Sequence, residues 1–189
     1  VGMDHALALS ACVLASTRAH PTRPIAMLVD TAGQRLARRD ELLGINGCFA
    51  HLARSLELAR RRGAALVSLV YGESVSGGFL SFGLMADRIF ALPEAQVRVM
   101  DLRAMARVTK QPLEKLQALS LSSPVFAPGV DNYVRMGAVE AVWQGDLAAA
   151  LAAALSEPQR LDLRRERGLE RGGRLLAHDV ARAVAAGEA

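Results

Sequence analysis

The stretch that most constrains this chain is residues 64–70, Ala-Ala-Leu-Val-Ser-Leu-Val, together with the segment after it. A run of strand length that is apolar without alternation must be covered on both faces, which in a mixed chain means a parallel strand between helices. The run leads into Tyr71-Gly72-Glu73-Ser74-Val75-Ser76-Gly77-Gly78, read as a turn rich in Gly and Ser. The Gly pair then opens a short apolar helix that stops at Asp87-Arg88, before a second strand over residues 89–92. The first amides of any helix lack an intrahelical partner, and glycine lets another group come close to them. Such a turn can hold a developing oxyanion without a charged side chain.

An earlier strand, Ile25-Ala26-Met27-Leu28-Val29, ends in the polar turn Asp30-Thr31-Ala32-Gly33-Gln34. If this strand and the 64–70 run are sheet neighbours, both glycine turns open at the carboxyl edge, where open α/β sheets place ligands. The backbone N–H groups of Gly33, Gly77 and Gly78 are then the expected oxyanion donors. Ala32, Gln34, Ser76 and Glu73 flank them as the expected substrate contacts. The plainer alternative is that Gly77-Gly78 only permits close packing of strand on helix. Glu73 is expected in the turn, where it orients a proton or, the favoured role, holds the loop. Asp30 is expected to fix the Gly33 turn, and Asp87-Arg88 to form an ion pair at a helix end. Nucleophilic catalysis fits less well. Gly72-Glu73-Ser74-Val75-Ser76 lacks the final Gly of the G-x-S-x-G elbow, and His5, His20, His51 and His178 all lie outside the strand-rich stretch after the Gly pair.

The remaining pattern is that of one α/β domain over residues 1–189, with 158–189 an Arg-rich helical tail. Helices are expected over residues 4–15, capped by Asp4, and over 39–62, weakened by Gly44 and Gly47 and stopped at Gly63 after the solvated triplet Arg60-Arg61-Arg62. Short strands are expected at 89–92 and 96–100. Asp101 is expected to cap a helix, Pro112 to open another, and residues 132–136 to form a short helix before a last strand at 139–143. With 51% apolar residues and only 4% aromatics, the core is aliphatic. The net charge of +4 is a mild excess for which a face that meets phosphate-bearing or acidic partners accounts as well as nucleic acid does. Cys12 and Cys48 lack metal spacing and read as small buried hydrophobes, with no metal site expected. No apolar run has the ~18 residues needed to cross a bilayer. No basic leader precedes the first helix, so the expected location is cytoplasmic, and the first residue, Val1, suggests missing upstream residues.

These residues resemble the crotonase/ClpP superfamily and, within it, the carboxyltransferase branch. Asp30-Thr31-Ala32-Gly33 is similar to the D-T-P-G turn of acetyl-CoA carboxylase carboxyltransferase alpha subunits, with Ala32 in place of Pro. Gly72-Glu73-Ser74-Val75-Ser76-Gly77-Gly78, followed by Gly83 and Asp87-Arg88, is similar to the glycine-rich signature of the same family. Val97-Arg98-Val99-Met100-Asp101-Leu102 and Ser123-Pro124-Val125-Phe126-Ala127-Pro128-Gly129 most resemble the gamma subunits of biotin-independent malonate decarboxylases.

The resemblance implies a crotonase/ClpP-type spiral of ββα units, carboxyltransferase-domain-like, with a strand upstream of the first helix. It implies a beta-subunit partner of the same fold and an acyl carrier protein bearing a phosphoribosyl-dephospho-CoA arm. The implied reaction is conversion of a malonyl thioester on that carrier to the acetyl thioester and CO2. No biotin, metal or nucleotide is required in the step, and this chain is expected to bind no cofactor tightly itself. The alternatives are a self-sufficient crotonase-type enzyme acting on acyl-CoA and a non-catalytic scaffold subunit. The arginines of the tail, from Arg164-Arg165-Glu166-Arg167 to Arg171 and Arg174, are expected on a solvated face, or else on one that meets an acidic carrier.

Overall fold

The computed structural model describes residues 1–35, 37–122, 128–156, 162–173 and 175–187. In chain order the elements are α1 (Met3–Ala19), β1 (Ile25–Thr31), α2 (Arg38–Leu42), α3 (Ile45–Arg61), β2 (Leu66–Val75), α4 (Ser76–Ser81), a 3-10 turn (Gly83–Met85), β3 (Arg88–Ala91) and β4 (Gln96–Arg98). They continue as α5 (Leu102–Thr109), α6 (Leu113–Ser122), α7 (Val130–Arg135), β5 (Ala141–Val142), α8 (Leu147–Ser156), α9 (Arg164–Glu170) and α10 (Ala177–Ala186). All described strand pairs are parallel, in the order β1-β2-β3-β5, with β4 added to β2.

β2 is the axis of the sheet. Its first half pairs with β3, from Val67 opposite Arg88 to Val70 opposite Ala91. Its second half pairs with β4, from Glu73 opposite Gln96 to Val75 opposite Arg98. The expected turn after Val70 is therefore strand, and the chain turns only at Ser76. Two contacts extend it: the β4 ladder, and the Asp30 carboxylate, which accepts the Glu73 N–H at 2.9 Å. Gly72 is required beneath Asp30, because a Cβ there would run into that carboxylate. Asp30 thus fixes Gly72-Glu73 rather than the Gly33 turn.

The two-sided apolar pattern of β2 is explained by what covers it. Leu66 and Val70 join Met27, Val29, Leu52, Leu56 and Phe79 in the main core, while Val67, Leu69 and Phe90 meet Ala154, Leu151 and Trp143 on the α8 side. Phe90 stacks on Trp143 at 4.3 Å between ring centroids. Burial of each large aliphatic side chain here contributes roughly 1.5–3 kcal/mol.

Several expectations are corrected. The helix expected over 39–62 is two helices, broken where Gly44 takes φ 78° and caps α3 from the left-handed region. α1 begins at Met3 with Gly2 as its cap, and Asp4 pairs instead with Arg39 at 3.0 Å. Cys12 is exposed and Cys48 half-buried, so neither is a fully buried hydrophobe. Asp87 pairs with Arg60, not Arg88, at 2.7 Å, and also accepts the Leu66 N–H at 2.7 Å. Arg60 is thereby drawn inward from its triplet. Arg88 turns to Glu140 at 2.8 Å.

The tail is also less solvated than its composition suggests. Arg167 reaches Glu140 at 3.1 Å, Arg171 donates to the carbonyls of Val134 and Val139, and Arg164 donates to the Leu84 carbonyl. Gly137, Gly168 and Gly173 let α9 and its ends lie backbone against backbone on the turn after α7; a Cβ at any of them would strike a main-chain atom. Arg174 and most of the Ser123-to-Gly129 motif, residues 123–127, lie outside the described residues.

Candidate functional site

The two glycine turns meet. β1 and β2 are direct neighbours, their register slips between Val29 and Thr31, and Thr31 comes opposite Ser74. The slip advances the Gly33 turn onto the end of β2. Gly33 has φ 100°, and a Cβ there would lie 3.2 Å from the Val75 carbonyl oxygen and 3.3 Å from the Ser76 Cβ. From the other side, a Cβ on Gly78 would lie 2.9 Å from the Thr31 hydroxyl and 3.5 Å from the Gly33 carbonyl carbon. Each glycine is thus a space the other turn occupies.

Their amides differ. The Gly33 N–H, one of the three expected donors, already donates to Thr31 Oγ1 at 3.0 Å in a buried turn. Threonine makes such a bond two residues ahead because its hydroxyl mimics a backbone carbonyl. The Gly33 proton is therefore engaged, and Gly33 serves as the wall against Gly78. Ser76, Gly77 and Gly78 form the first turn of α4, and no side chain caps it. Helical geometry gives those N–H groups no partner inside the helix. Ser76 itself sits at φ 53°, a left-handed conformation that costs a non-glycine residue roughly 1–2 kcal/mol and redirects the chain sharply from strand to helix.

Gly77 opens onto a cleft of about 330 Å³ lined by Gln34, Asn46, Phe49, Ala50, Ala53, Leu80 and Ser81. The Gln34 side-chain oxygen stands 3.1 Å from where a Gly77 Cβ would be, and its nitrogen donates to Glu41 at 3.2 Å. Buried Gly78 instead borders a smaller pocket of about 150 Å³ with Leu28, Val29, Asp30, Thr31 and Phe82. Ala32 is exposed at the tip of its turn. Glu73 is on β2 and not in a turn; its carboxylate accepts from Arg98 of β4 at 2.5 Å, so it is held by an ion pair beside the site.

The walls of the cleft are carbon, the Gln34 and Asn46 carboxamides and the Ser81 hydroxyl, without a charged group among the described lining residues. Among the described residues no group of three or more His, Cys, Asp or Glu is placed to hold a metal. An uncharged cleft beside amides that lack an intrahelical partner suits a neutral ligand on which negative charge develops during reaction. Sequence reasoning found both turns and missed Thr31 as the clamp, Arg98 as the partner of Glu73, and the α3 wall of Asn46, Phe49, Ala50 and Ala53. Thr31 stood two residues before Gly33, the spacing of a hydroxyl-closed turn, and was a legible signal. Nothing in the sequence tied Arg98 to Glu73.

A family profile described as malonate decarboxylase gamma subunit matches residues 1–188. The malonyl-S-ACP:biotin-protein carboxyltransferase of Malonomonas rubra is 39% identical over 121 residues, which is 62% of this chain and 41% of that one. The chain thus spans well under half the length of this curated relative. A chain of a Pseudomonas malonate decarboxylase hetero-tetramer in complex with coenzyme A superposes with a TM-score of 0.84 at 28% identity, covering 99% of this chain and 78% of that one. A transcarboxylase 12S chain, at 19% identity, TM-score 0.65 and coverage of 82% of this chain and 29% of that one, shares the fold alone. The fold is that of the crotonase-like carboxyltransferases.

Proposed function

The chain belongs to the malonate decarboxylase gamma-subunit family, and from that premise we propose that it is one part of a heteromeric carbon–carbon lyase acting on a malonyl thioester carried by an acyl carrier protein. The bond between the α-carbon and the terminal carboxylate breaks, CO2 leaves, and the electron pair passes into the thioester enolate. A proton then completes the acetyl thioester. Negative charge on the thioester oxygen is the species to be stabilised, and the amides of Gly77 and Gly78 are the donors this chain offers. Each such donor contributes about 3–4 kcal/mol to lowering a barrier of this kind.

The observation that carries the reading is the meeting of the Gly33 turn with Ser76-Gly77-Gly78 at one sheet edge, which sets the first amides of α4 between an uncharged cleft at Gly77 and a smaller pocket at Gly78. The cleft fits the neutral thioester end of a long carrier arm, here expected to be the phosphoribosyl-dephospho-CoA arm of the carrier. The hetero-tetramer of the Pseudomonas relative supports a beta-subunit partner, and the carrier-bound malonyl group in the name of the Malonomonas relative supports the substrate class. Gln34 and Ser76 border the thioester, with Ala32 at the rim and Glu73 holding β2 to β4.

The test is acetyl-thioester formation from a malonyl thioester by this chain alone, by the beta subunit alone, and by the two together. Turnover in the mixture only is the expected result. Full turnover by this chain alone makes it a self-contained decarboxylase, and none in any arm removes the assignment.

A further inference from the structure

The cleft at Gly77 has three polar side chains among its described lining residues, Gln34, Asn46 and Ser81. They are not equivalent. The Ser81 hydroxyl is committed to the Gly77 carbonyl, to which it donates at 2.7 Å. Asn46 is exposed on the first turn of α3, and no hydrogen bond to a described residue fixes which end of its carboxamide faces the cleft.

Among the three, Gln34 alone has its ends assigned. A carboxamide has a donor end and an acceptor end of nearly the same size, so its partners decide which way it points. Here the partner is Glu41 of α2, whose carboxylate can only accept, and Gln34 Nε2 donates to Glu41 Oε1 at 3.2 Å. The oxygen must then face the other way. It stands 3.1 Å from the place a Cβ on Gly77 would take, and it accepts no hydrogen bond from a described residue. An acceptor set in a cleft without charge favours a neutral donor and repels a second acceptor put in the same place.

We propose that the Gln34 oxygen accepts the N–H of the amide nearest the sulfur in the substrate's pantetheine arm, and that Glu41 is the positioning residue that turns the oxygen toward it; this rests on the function proposed above. The chemistry of the arm supplies the match. In an arm of the dephospho-CoA type, two methylene groups separate the thioester sulfur from an amide nitrogen that carries one proton. A thioester at Gly77 therefore brings that N–H close to Gln34. The thioester carbonyl offers only lone pairs, which the Gln34 oxygen repels. The two polar groups of the arm are thus told apart, and the arm is held in one register.

The experiment uses the assembled heteromer and two small substrates. Malonyl-N-acetylcysteamine carries the N–H, and the malonyl thioester of 2-acetoxyethanethiol has an ester oxygen in its place. The readout is the ratio of their kcat/KM values, which does not depend on the fraction of enzyme folded, because both are measured on one preparation. The wild type is expected to favour the amide substrate about fivefold or more. Gln34→Met keeps the length of the side chain, removes the acceptor and should abolish the preference. Glu41→Lys gives the Gln34 oxygen a donor, turns the carboxamide round and presents its NH2 to the substrate, which should abolish the preference as well. A ratio unmoved by Gln34→Met overturns the proposal, as does a preference lost in Asn46→Ala and kept in Gln34→Met. A wild-type ratio in Glu41→Lys overturns the positioning role. Turnover of the malonyl-carrier protein with neither small thioester accepted also overturns the proposal, since an arm read at this amide would be accepted without its carrier. Turnover of no malonyl thioester by the wild-type heteromer defeats the proposed function itself.

Discussion

Glycine brings backbone against backbone at two places in this molecule, with opposite results. At the sheet edge, Gly33 and Gly78 let two turns meet, and the first amides of α4 have neither a side-chain cap among the described residues nor an acceptor within their helix. At the tail, Gly137, Gly168 and Gly173 admit an equally close approach, but there Arg164 and Arg171 donate to the carbonyls of Leu84, Val134 and Val139, and Arg167 pairs with Glu140. On the function proposed above, the first contact leaves donors for a ligand, whereas the second closes on itself. Close packing alone therefore does not mark a site. What marks it is a buried approach whose polar groups stay unpaired.

Substitutions can separate the two contacts. The largest effect on catalysis is expected from Gly78→Ala, whose methyl would press on the Thr31 hydroxyl at 2.9 Å. Displacing the α4 amides should lower turnover about 100-fold or more in the assembled heteromer, while size-exclusion still shows assembly. Wild-type turnover in that variant means that the front contact is packing only. At the tail, Gly168→Ala drives a methyl into the Met136 carbonyl, and the expected loss is stability, roughly 1–3 kcal/mol by urea unfolding. Its kcat per folded molecule should stay unchanged, and a fall in kcat would join the two regions functionally.

Thr31→Val keeps the shape of the clamp and removes its acceptor, leaving the buried Gly33 N–H unpaired at a cost of about 1–3 kcal/mol. Recovery in Thr31→Ser distinguishes the hydroxyl from the methyl. The smallest effect concerns pH. Burial pushes the Glu140 carboxyl upward, but hydrogen bonding and charge from Arg88 and Arg167 outweigh it and hold the group below its usual 4.5. A depressed carboxylate contributes stability that is complete above that ordinary value and is lost as pH falls through the depressed one. Proteolysis of the tail should therefore accelerate in acid below about pH 4.5. Glu140→Gln should remove that pH dependence, and persistence of the full acid effect would assign it to another carboxylate.

Residues 64–70 by themselves determined a parallel strand covered on both faces, whereas residues 25–29, read in the same way, form a parallel strand covered on one face only, with Leu28 60% exposed on the other. Gly33 and Gly78 marked where the two turns can pack together, because a Cβ at either would meet the other turn, and Asp101 announced its helix by the cap it provides. Tertiary structure decided the rest. β2 continued through Gly72-Glu73-Ser74 because β4 and Asp30, distant in sequence, supplied its partners. Asp87 chose Arg60 over adjacent Arg88, since i,i+1 side chains do not face each other across a strand start while α3 brings Arg60 alongside. The tail's arginines turned inward because glycine contacts placed carbonyls within their reach. Local sterics and two-residue periodicity are carried by neighbouring residues and can be read from them. The pairing of charges and the engagement of a given N–H depend on which distant segment arrives beside it, and that is settled only when the chain has folded.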